Sequence, residues 1–200
     1  MSQDNIPVWE RGQEGGHSRP INVTQLFANL AEVCKVLEEC DIRYWVSHGT
    51  MLGLYRDGGP IPWDDDADIG LNLHDRAKMP AAIKILAKRG YFIPAEGDRS
   101  RPVDNDNMPW YDTVFIRDGE KVEGWWFEEK TINGKRFYIY DEPRCGHILK
   151  HEARYYDELQ RYECRGKLFY VPNDIEDWLV MMYGVGWKAP DRNKKYNHQG

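Results

Sequence analysis

Residues 61–70 read IPWDDDADIG, and this acidic stretch decides how the whole chain is interpreted. After the acids, apolar residues recur at every second position, which predicts a β-strand. On a strand, Asp66 and Asp68 share one face, which we expect to be open, while Ala67 and Ile69 anchor the other face in a core. Neighbouring carboxylates repel each other, so the pair predicts a divalent-cation site whose oxygen ligands suit Mg²⁺ or Mn²⁺.

Three other interpretations of the acidic run compete with a metal site. A charge run is usually a solvated loop, but Trp63 and the apolar alternation attach this run to a core. A calcium loop of the EF-hand type is disfavoured, because Ile69 occupies the position of the turn glycine and Asp75 that of the last glutamate. The Asp-x-Asp motif of nucleotide-sugar glycosyltransferases stays open on the acids alone, since so short a motif is common by chance.

The segment before the acids predicts a turn that binds phosphate. A β-rich run ends at Gly49 and Thr50, and a short helical segment follows. Glycine at a strand-to-helix turn lets backbone N–H groups approach a phosphate, assisted by the helix N-terminus. Arg56 is placed to add a charge-assisted contact. Taken singly, Gly49 is an ordinary turn residue and Arg56 a surface charge, but beside an acidic strand the combination favours phosphate binding.

Residues 49–56 and 61–70 together resemble the signature of the LicD/fukutin-type transferases, which belong to the nucleotidyltransferase-fold superfamily. Residues 171–174 and 183–190 are similar to the closing segment of that family. The resemblance covers roughly residues 24–190, with no clear match between residues 90 and 111. It implies an α+β, α/β-like fold: a nucleotidyltransferase-type mixed central sheet flanked by helices.

The resemblance also implies an activity. It points to a Mg²⁺-dependent (or Mn²⁺-dependent) transferase that moves a phospho-alcohol such as phosphocholine, glycerol phosphate or ribitol phosphate. The donor would be a CDP-linked alcohol, and the acceptor a hydroxyl of a glycan or glycolipid. Asp66, Asp68 and Glu123 would bind the metal directly. Asp64 would orient the acceptor, or would interact with the groups that surround the metal's direct ligands. The residues implied to contact substrate are Gly49, Thr50, Arg56 and Trp63, the last mainly as a packing wedge.

The third acid of the site is expected on a later strand. Residues 122–127 fit that position, with Glu123 where the family more often has aspartate. Asp112 on the neighbouring strand is the rival, and Glu123 is otherwise an ordinary solvent-facing strand residue. Two other functions also remain open: nucleotidyl transfer with release of pyrophosphate, and a non-catalytic protein that binds a nucleotide or glycan.

Composition narrows the class of protein. The 200 residues carry a net charge of −6 and a pI near 5.6, which argues against nucleic acid as a partner. No apolar run approaches the roughly 20 residues that span a bilayer, and residues 1–16 are polar rather than a secretory signal. These features lead us to expect a cytoplasmic protein with no transmembrane segment, whose four cysteines are free thiols.

One group of residues suggests a zinc-binding site. Cys145, His147, His151 and Cys164 are all possible ligands, and the histidines have the i, i+4 spacing of one helix face. The spacing matches no standard zinc motif, so the alternative is a helix with two polar surface histidines.

The chain is organised as a flexible arm over residues 1–20, one domain over residues 21–190 and a frayed tail over residues 191–200. Apolar spacing predicts helices over residues 24–39, 75–89, 147–159 and 175–183. Besides the acidic strand, strands are predicted over residues 43–47, 110–116, 121–128, 135–140 and 168–171. The proline-broken residues 98–109 predict a mobile loop beside the site, and Asn133-Gly134 a tight turn.

Overall fold

The computed structural model describes residues 21–94, 112–142 and 147–190 of the chain. These ranges contain four α-helices: α1 (Val23–Glu39), α2 (His48–Arg56), α3 (Met79–Lys88) and α4 (Ile175–Tyr183). They also contain eight strands: β1 (Tyr44–Val46), β2 (Asp66–Asn72), β3 (Asp112–Arg117), β4 (Glu120–Ile132), β5 (Lys135–Glu142), β6 (His147–Glu152), β7 (Gln160–Cys164) and β8 (Lys167–Val171). The arm, the tail and the loop predicted over residues 98–109 lie outside the described residues.

Six of these strands form one mixed sheet, in which the long strand β4 is central. The first half of β4 pairs in parallel with β2 on one side and antiparallel with β3 on the other, while its second half pairs with β5. Strands β1 and β6 complete the sheet, and β7 and β8 form a separate hairpin. Because α1 packs on β4 and α2 on β2, the predicted α+β fold with a mixed sheet flanked by helices is confirmed.

The acidic strand β2 is held in place by its inward face. Ala67, Ile69 and Leu71 are completely buried, as the period-two pattern predicts. On the opposite face, which also carries Asp66 and Asp68, Gly70 lies under the indole of Trp45, and a Cβ added there would stand 2.1 Å from that ring. The strand can therefore pass beneath Trp45 only because residue 70 has no side chain.

Most of the predicted elements are confirmed. Helices α1 and α4 have nearly the predicted bounds, and the predicted helix over residues 75–89 consists of a 3₁₀ segment, Leu73–Lys78, followed by α3. The strands predicted over residues 110–116 and 121–128 form as β3 and β4, and the two pair as an antiparallel hairpin. Asn133 and Gly134 have φ angles of 51° and 77°, the left-handed values that a tight hairpin turn requires.

The helix predicted over residues 147–159 is wrong. This segment forms strand β6, a 3₁₀ turn over Ala153–Tyr155 and the approach to β7, a strand that the sequence analysis did not find. Leu149 and His151 face the core while Ile148 and Lys150 are exposed, a period-two alternation. Antiparallel pairing with β5 makes this segment a strand, since a tertiary partner can outweigh local helix preference.

Candidate active site

Pairing of β2 with β4 brings three acids together. The parallel register places Asp68 opposite Glu123, on the face of the sheet that also carries Asp66. Ligand oxygens of these three carboxylates lie within 4.8 Å of one another, and Asp64, Asp65 and Asp66 form a second such group. The set consists of hard oxygen donors, so the residues present fit Mg²⁺ or Mn²⁺.

The rival third acid occupies a different position. Asp112 is buried on β3 opposite Trp125. It belongs to neither of the acid groups found in the described part of the chain. Glu123 therefore stands with Asp66 and Asp68, whereas Asp112 does not.

Asp68 is held at three points. Its backbone N–H donates to Thr50 Oγ1 at 2.7 Å, and its carbonyl accepts from the Ser47 N–H at 3.0 Å. Its carboxylate oxygen Oδ1 accepts a hydrogen bond from Trp125 Nε1 at 2.9 Å. The acidic face was expected to be open, but Asp68 is 4% exposed. These bonds fix the backbone and one carboxylate oxygen, which is how supporting residues orient a metal ligand.

Burial and mutual repulsion shift the acids toward their protonated forms. Burial raises the pKa of Asp66 to about 7, and repulsion from Glu123 and Asp64 acts in the same direction, while Lys121 acts against it. Burial, followed by repulsion from Asp66, also raises the pKa of Asp68 well above its usual value. A divalent cation among these oxygens would remove that repulsion and favour the ionised forms.

Sequence reasoning missed Lys121. Its Nζ lies 2.9 Å from Asp66 Oδ2, 2.8 Å from Glu123 Oε1 and 3.9 Å from Asp65 Oδ2. Burial acts to lower the pKa of Lys121, but attraction to Asp66 and Glu123 outweighs burial and raises it above the ordinary value. The available signal was the spacing of Lys121 and Glu123 two residues apart, which puts both side chains on one face of a strand.

The predicted phosphate turn forms the start of α2. Gly49 and Thr50 are buried in its first helical turn, beside Asp68. The preceding residue, His48, has a φ of 46°, a left-handed conformation that costs a non-glycine residue roughly 1–3 kcal/mol. The His48 ring packs against Trp125 with the ring centroids 4.6 Å apart. The strained turn is thereby placed next to the residue that holds Asp68.

Two residues predicted to contact substrate, Arg56 and Trp63, lie outside the first turn of α2. Arg56 ends α2, about 10 Å from Gly49 along the helix axis, and binds both oxygens of Asp57 at 2.8 and 2.6 Å. Trp63 is 37% exposed, and its role as a packing wedge stays a prediction. Ile61, which is 7% exposed, is the buried residue of the lead-in to the acids.

The zinc interpretation receives no support from the described residues. Cys145 lies outside them, and no group of three possible ligands in the described ranges includes His151 or Cys164. His151 is not on a helix surface but is buried on β6, where its Nδ1 lies 2.6 Å from Tyr156 Oη. Burial lowers the pKa of His151 to about 4, so its ring is neutral near pH 7.

Fold and site together define a class of protein: a nucleotidyltransferase-type domain, with acids on a parallel strand pair beside the start of a helix. The model of the LicD/FKTN/FKRP nucleotidyltransferase domain matches residues 41–174, which include every acid of the site. The chain belongs to this family.

Two ribitol-phosphate transferases are similar to this chain over most of its length. The ribitol 5-phosphate transferase FKRP of Mus musculus is 29% identical over 183 residues, covering 86% of this chain and 34% of that protein. The ribitol-5-phosphate transferase FKTN of the same organism is 26% identical over 167 residues, covering 80% of this chain and 32% of that protein. The chain thus spans about a third of the length of these relatives.

Among solved structures, the lincosamide antibiotic adenylyltransferase LnuA aligns with a TM-score of 0.47 and 12% identity, over 80% of this chain and 86% of that one.

None of the helices in the described ranges is long and apolar enough to cross a membrane.

Proposed function

We propose that this domain transfers a phospho-alcohol group from a CDP-linked alcohol to a hydroxyl of a glycan or glycolipid, with Mg²⁺ or Mn²⁺ held by Asp66, Asp68 and Glu123. The observation that carries the proposal is the convergence of these three carboxylates within 4.8 Å. Membership of the family supports the reaction class. The two relatives, whose names describe ribitol 5-phosphate transfer, support a polyol phosphate as the transferred group.

The reaction breaks the phosphoanhydride bond of the donor and forms a phosphate ester bond to the acceptor. The acceptor oxygen attacks the phosphorus that carries the alcohol, the bond from that phosphorus to the bridging oxygen breaks, and CMP leaves with the bridging oxygen. When bound, the divalent ion would neutralise charge on the phosphoryl oxygens and favour ionisation of the attacking hydroxyl. We assign Asp64, at the edge of the acid cluster, to orient the acceptor hydroxyl and take its proton.

The remaining residues would position the donor. Backbone N–H groups at the start of α2, around Gly49, are suited to a donor phosphate because a helix N-terminus favours negative charge. The Thr50 hydroxyl accepts from the Asp68 backbone, so its contribution is to hold α2 against the acidic strand. Arg56 would have to release Asp57 before it could bind phosphate.

Product analysis tests the proposal. The purified protein is incubated with Mg²⁺, a sugar-alcohol or oligosaccharide acceptor, and CDP-ribitol, CDP-glycerol or CDP-choline in turn. We expect CMP from at least one donor, with loss of product in Asp66→Asn and Asp68→Asn. The matched control is Asp118→Asn, which removes a carboxylate whose side chain is 68% exposed in the β3–β4 turn.

The products also separate the alternative functions. In a parallel reaction with CTP as the donor, release of pyrophosphate would mean nucleotidyl transfer, provided that no CDP-alcohol yields CMP. Binding of a nucleotide without either product would mean a non-catalytic protein. Full activity in both aspartate variants would overturn the metal site itself.

A further inference from the structure

Lys121 lies where a bound cation would be expected. Its ammonium bridges Asp66 and Glu123 at 2.9 and 2.8 Å, distances typical of charge-assisted hydrogen bonds. Its side chain is 11% exposed, so the ammonium is enclosed within the acid cluster rather than extended into solvent. Two of the three oxygen donors assigned to the metal are therefore already shared with a positive charge.

Strand register builds this arrangement. Parallel pairing sets Asp66 opposite Lys121 and Asp68 opposite Glu123, so four charged side chains occupy one face of two neighbouring strands. A lysine ammonium stands on a flexible four-carbon chain and forms hydrogen bonds without a fixed geometry. It can therefore leave these carboxylates by rotation of its side chain while the backbone of β4 keeps its place.

A divalent ion and the ammonium cannot both keep these contacts. Mg²⁺ binds carboxylate oxygens at about 2.0–2.1 Å, which would bring it close to an ammonium that hydrogen-bonds the same groups. Two positive charges at such a separation repel each other strongly in a site with little water. Binding of the metal and pairing of Lys121 with both acids are therefore competing states.

We propose that Lys121 is a built-in counter-cation of the site: it holds Asp66 and Glu123 together in the metal-free protein and releases at least one of them when a divalent ion binds. The inference rests on the proposed function in taking these acids as metal ligands. Lys121 thereby acts as a positioning residue that lowers the affinity for the metal and keeps the empty cluster folded.

The test measures binding of Mn²⁺ to metal-free protein by isothermal titration calorimetry. Lys121→Met removes the charge, and Lys121→Gln removes it while keeping hydrogen-bond donors. The control, Lys130→Met, changes a lysine on the same strand that is 45% exposed and pairs with Glu128 at 2.8 Å. We expect the Kd for Mn²⁺ to fall by roughly tenfold or more in both Lys121 variants, a change on the scale of residues that support metal ligands, and to stay unchanged in the control.

Melting temperature gives a second readout. In EDTA, the Lys121 variants should melt below the wild type, because removing one partner leaves buried carboxylates uncompensated. Saturating Mn²⁺ should then raise their melting temperature by more than it raises that of the wild type. A merely structural lysine would instead lower the melting temperature equally with and without Mn²⁺, and that result would overturn the inference.

The possible outcomes separate this inference from the proposed function. Wild-type protein that binds Mn²⁺, with an unchanged Kd in both Lys121 variants, overturns the inference alone. If neither the wild type nor the variants bind Mn²⁺, both proposals fail. Tighter Mn²⁺ binding in the variants, without CMP from any CDP-alcohol, supports Lys121 as a counter-cation and overturns the transferase activity. If Lys121→Met does not fold, Lys121→Gln decides by the same criteria.

Discussion

Replacement of Trp125 by phenylalanine should weaken metal binding while leaving the fold intact. The Trp125 indole N–H donates to Asp68 Oδ1 at 2.9 Å, and its ring packs between His48 and Tyr140 with centroid distances of 4.6 and 4.8 Å. Phenylalanine keeps an aromatic ring in that space but donates no hydrogen bond. Trp125→Phe therefore removes one specific interaction from Asp68, the most buried of the three acids.

The size of the effect follows from the kind of bond that is lost. A hydrogen bond to a charged group contributes about 1.5–3 kcal/mol. Loss of a residue that orients a metal ligand typically costs about 10–100-fold in metal affinity. Without the bond, burial and the repulsion from Asp66 would raise the pKa of Asp68 further, because the donor that favours its ionised form is gone. Both effects weaken binding of a cation.

The adjacent residue provides a matched control. Trp126 Nε1 donates to Thr113 Oγ1 at 3.0 Å, and Trp126 lies on the opposite face of β4. Trp126→Phe is thus the same chemical change, one residue away and outside the acid cluster. In Mn²⁺ titrations at pH 7.5, we expect Trp125→Phe to raise the Kd at least tenfold, in line with the loss of a supporting residue, and Trp126→Phe to leave it unchanged. Equal Mn²⁺ affinities of Trp125→Phe and wild-type protein would refute the orienting role of the indole.

Three further predictions concern the packing of β2, the pH dependence of stability and the third acid of the site. Gly70→Ala should lower the free energy of unfolding in urea by about 1–3 kcal/mol, because its Cβ would meet the Trp45 ring; an unchanged midpoint would contradict this. The depressed pKa of His151, about 4 against 6.5, means that the unfolded chain binds its proton first, so stability falls from pH 6.5 to pH 4 by up to about 3 kcal/mol. His151→Asn should remove this part of the pH dependence, and a parallel pH profile would count against it. Glu123→Gln should abolish turnover and Asp112→Asn should not; the reverse ranking in kinetic assays would move the third ligand to β3.

The local sequence pattern was sufficient to predict those structural elements that are determined by their own residues. The alternation after Asp66 predicts β2, apolar helical spacing predicts α1 and α4, and Asn133-Gly134 predicts its hairpin turn because both residues tolerate a positive φ. Strand β6 could not be found in this way. Its residues are also compatible with a helix, and the contact that decides between the two is the pairing with β5.

The site shows the same division between local and long-range information. The carboxylates of Asp66 and Asp68 are evident from the motif, whereas the position of Lys121 depends on the register of two strands far apart in sequence. The hydrogen bond from Trp125 to Asp68 likewise joins residues separated by 57 positions. A single sequence contains no direct signal of such a register, so the residues that support the acids emerge only from the folded structure.

The most direct test of the central claim is whether a CDP-alcohol binds through a divalent ion held by the acids. Melting temperatures are measured with CDP-ribitol or CDP-glycerol, in Mg²⁺ and in EDTA, for the wild type and Asp68→Asn. A ligand present at 100 times its Kd stabilises the folded state by about 2.7 kcal/mol. We predict a clear rise for the wild type in Mg²⁺ and none in EDTA or in Asp68→Asn. An equal rise in EDTA, or a full rise in Asp68→Asn, would contradict the account.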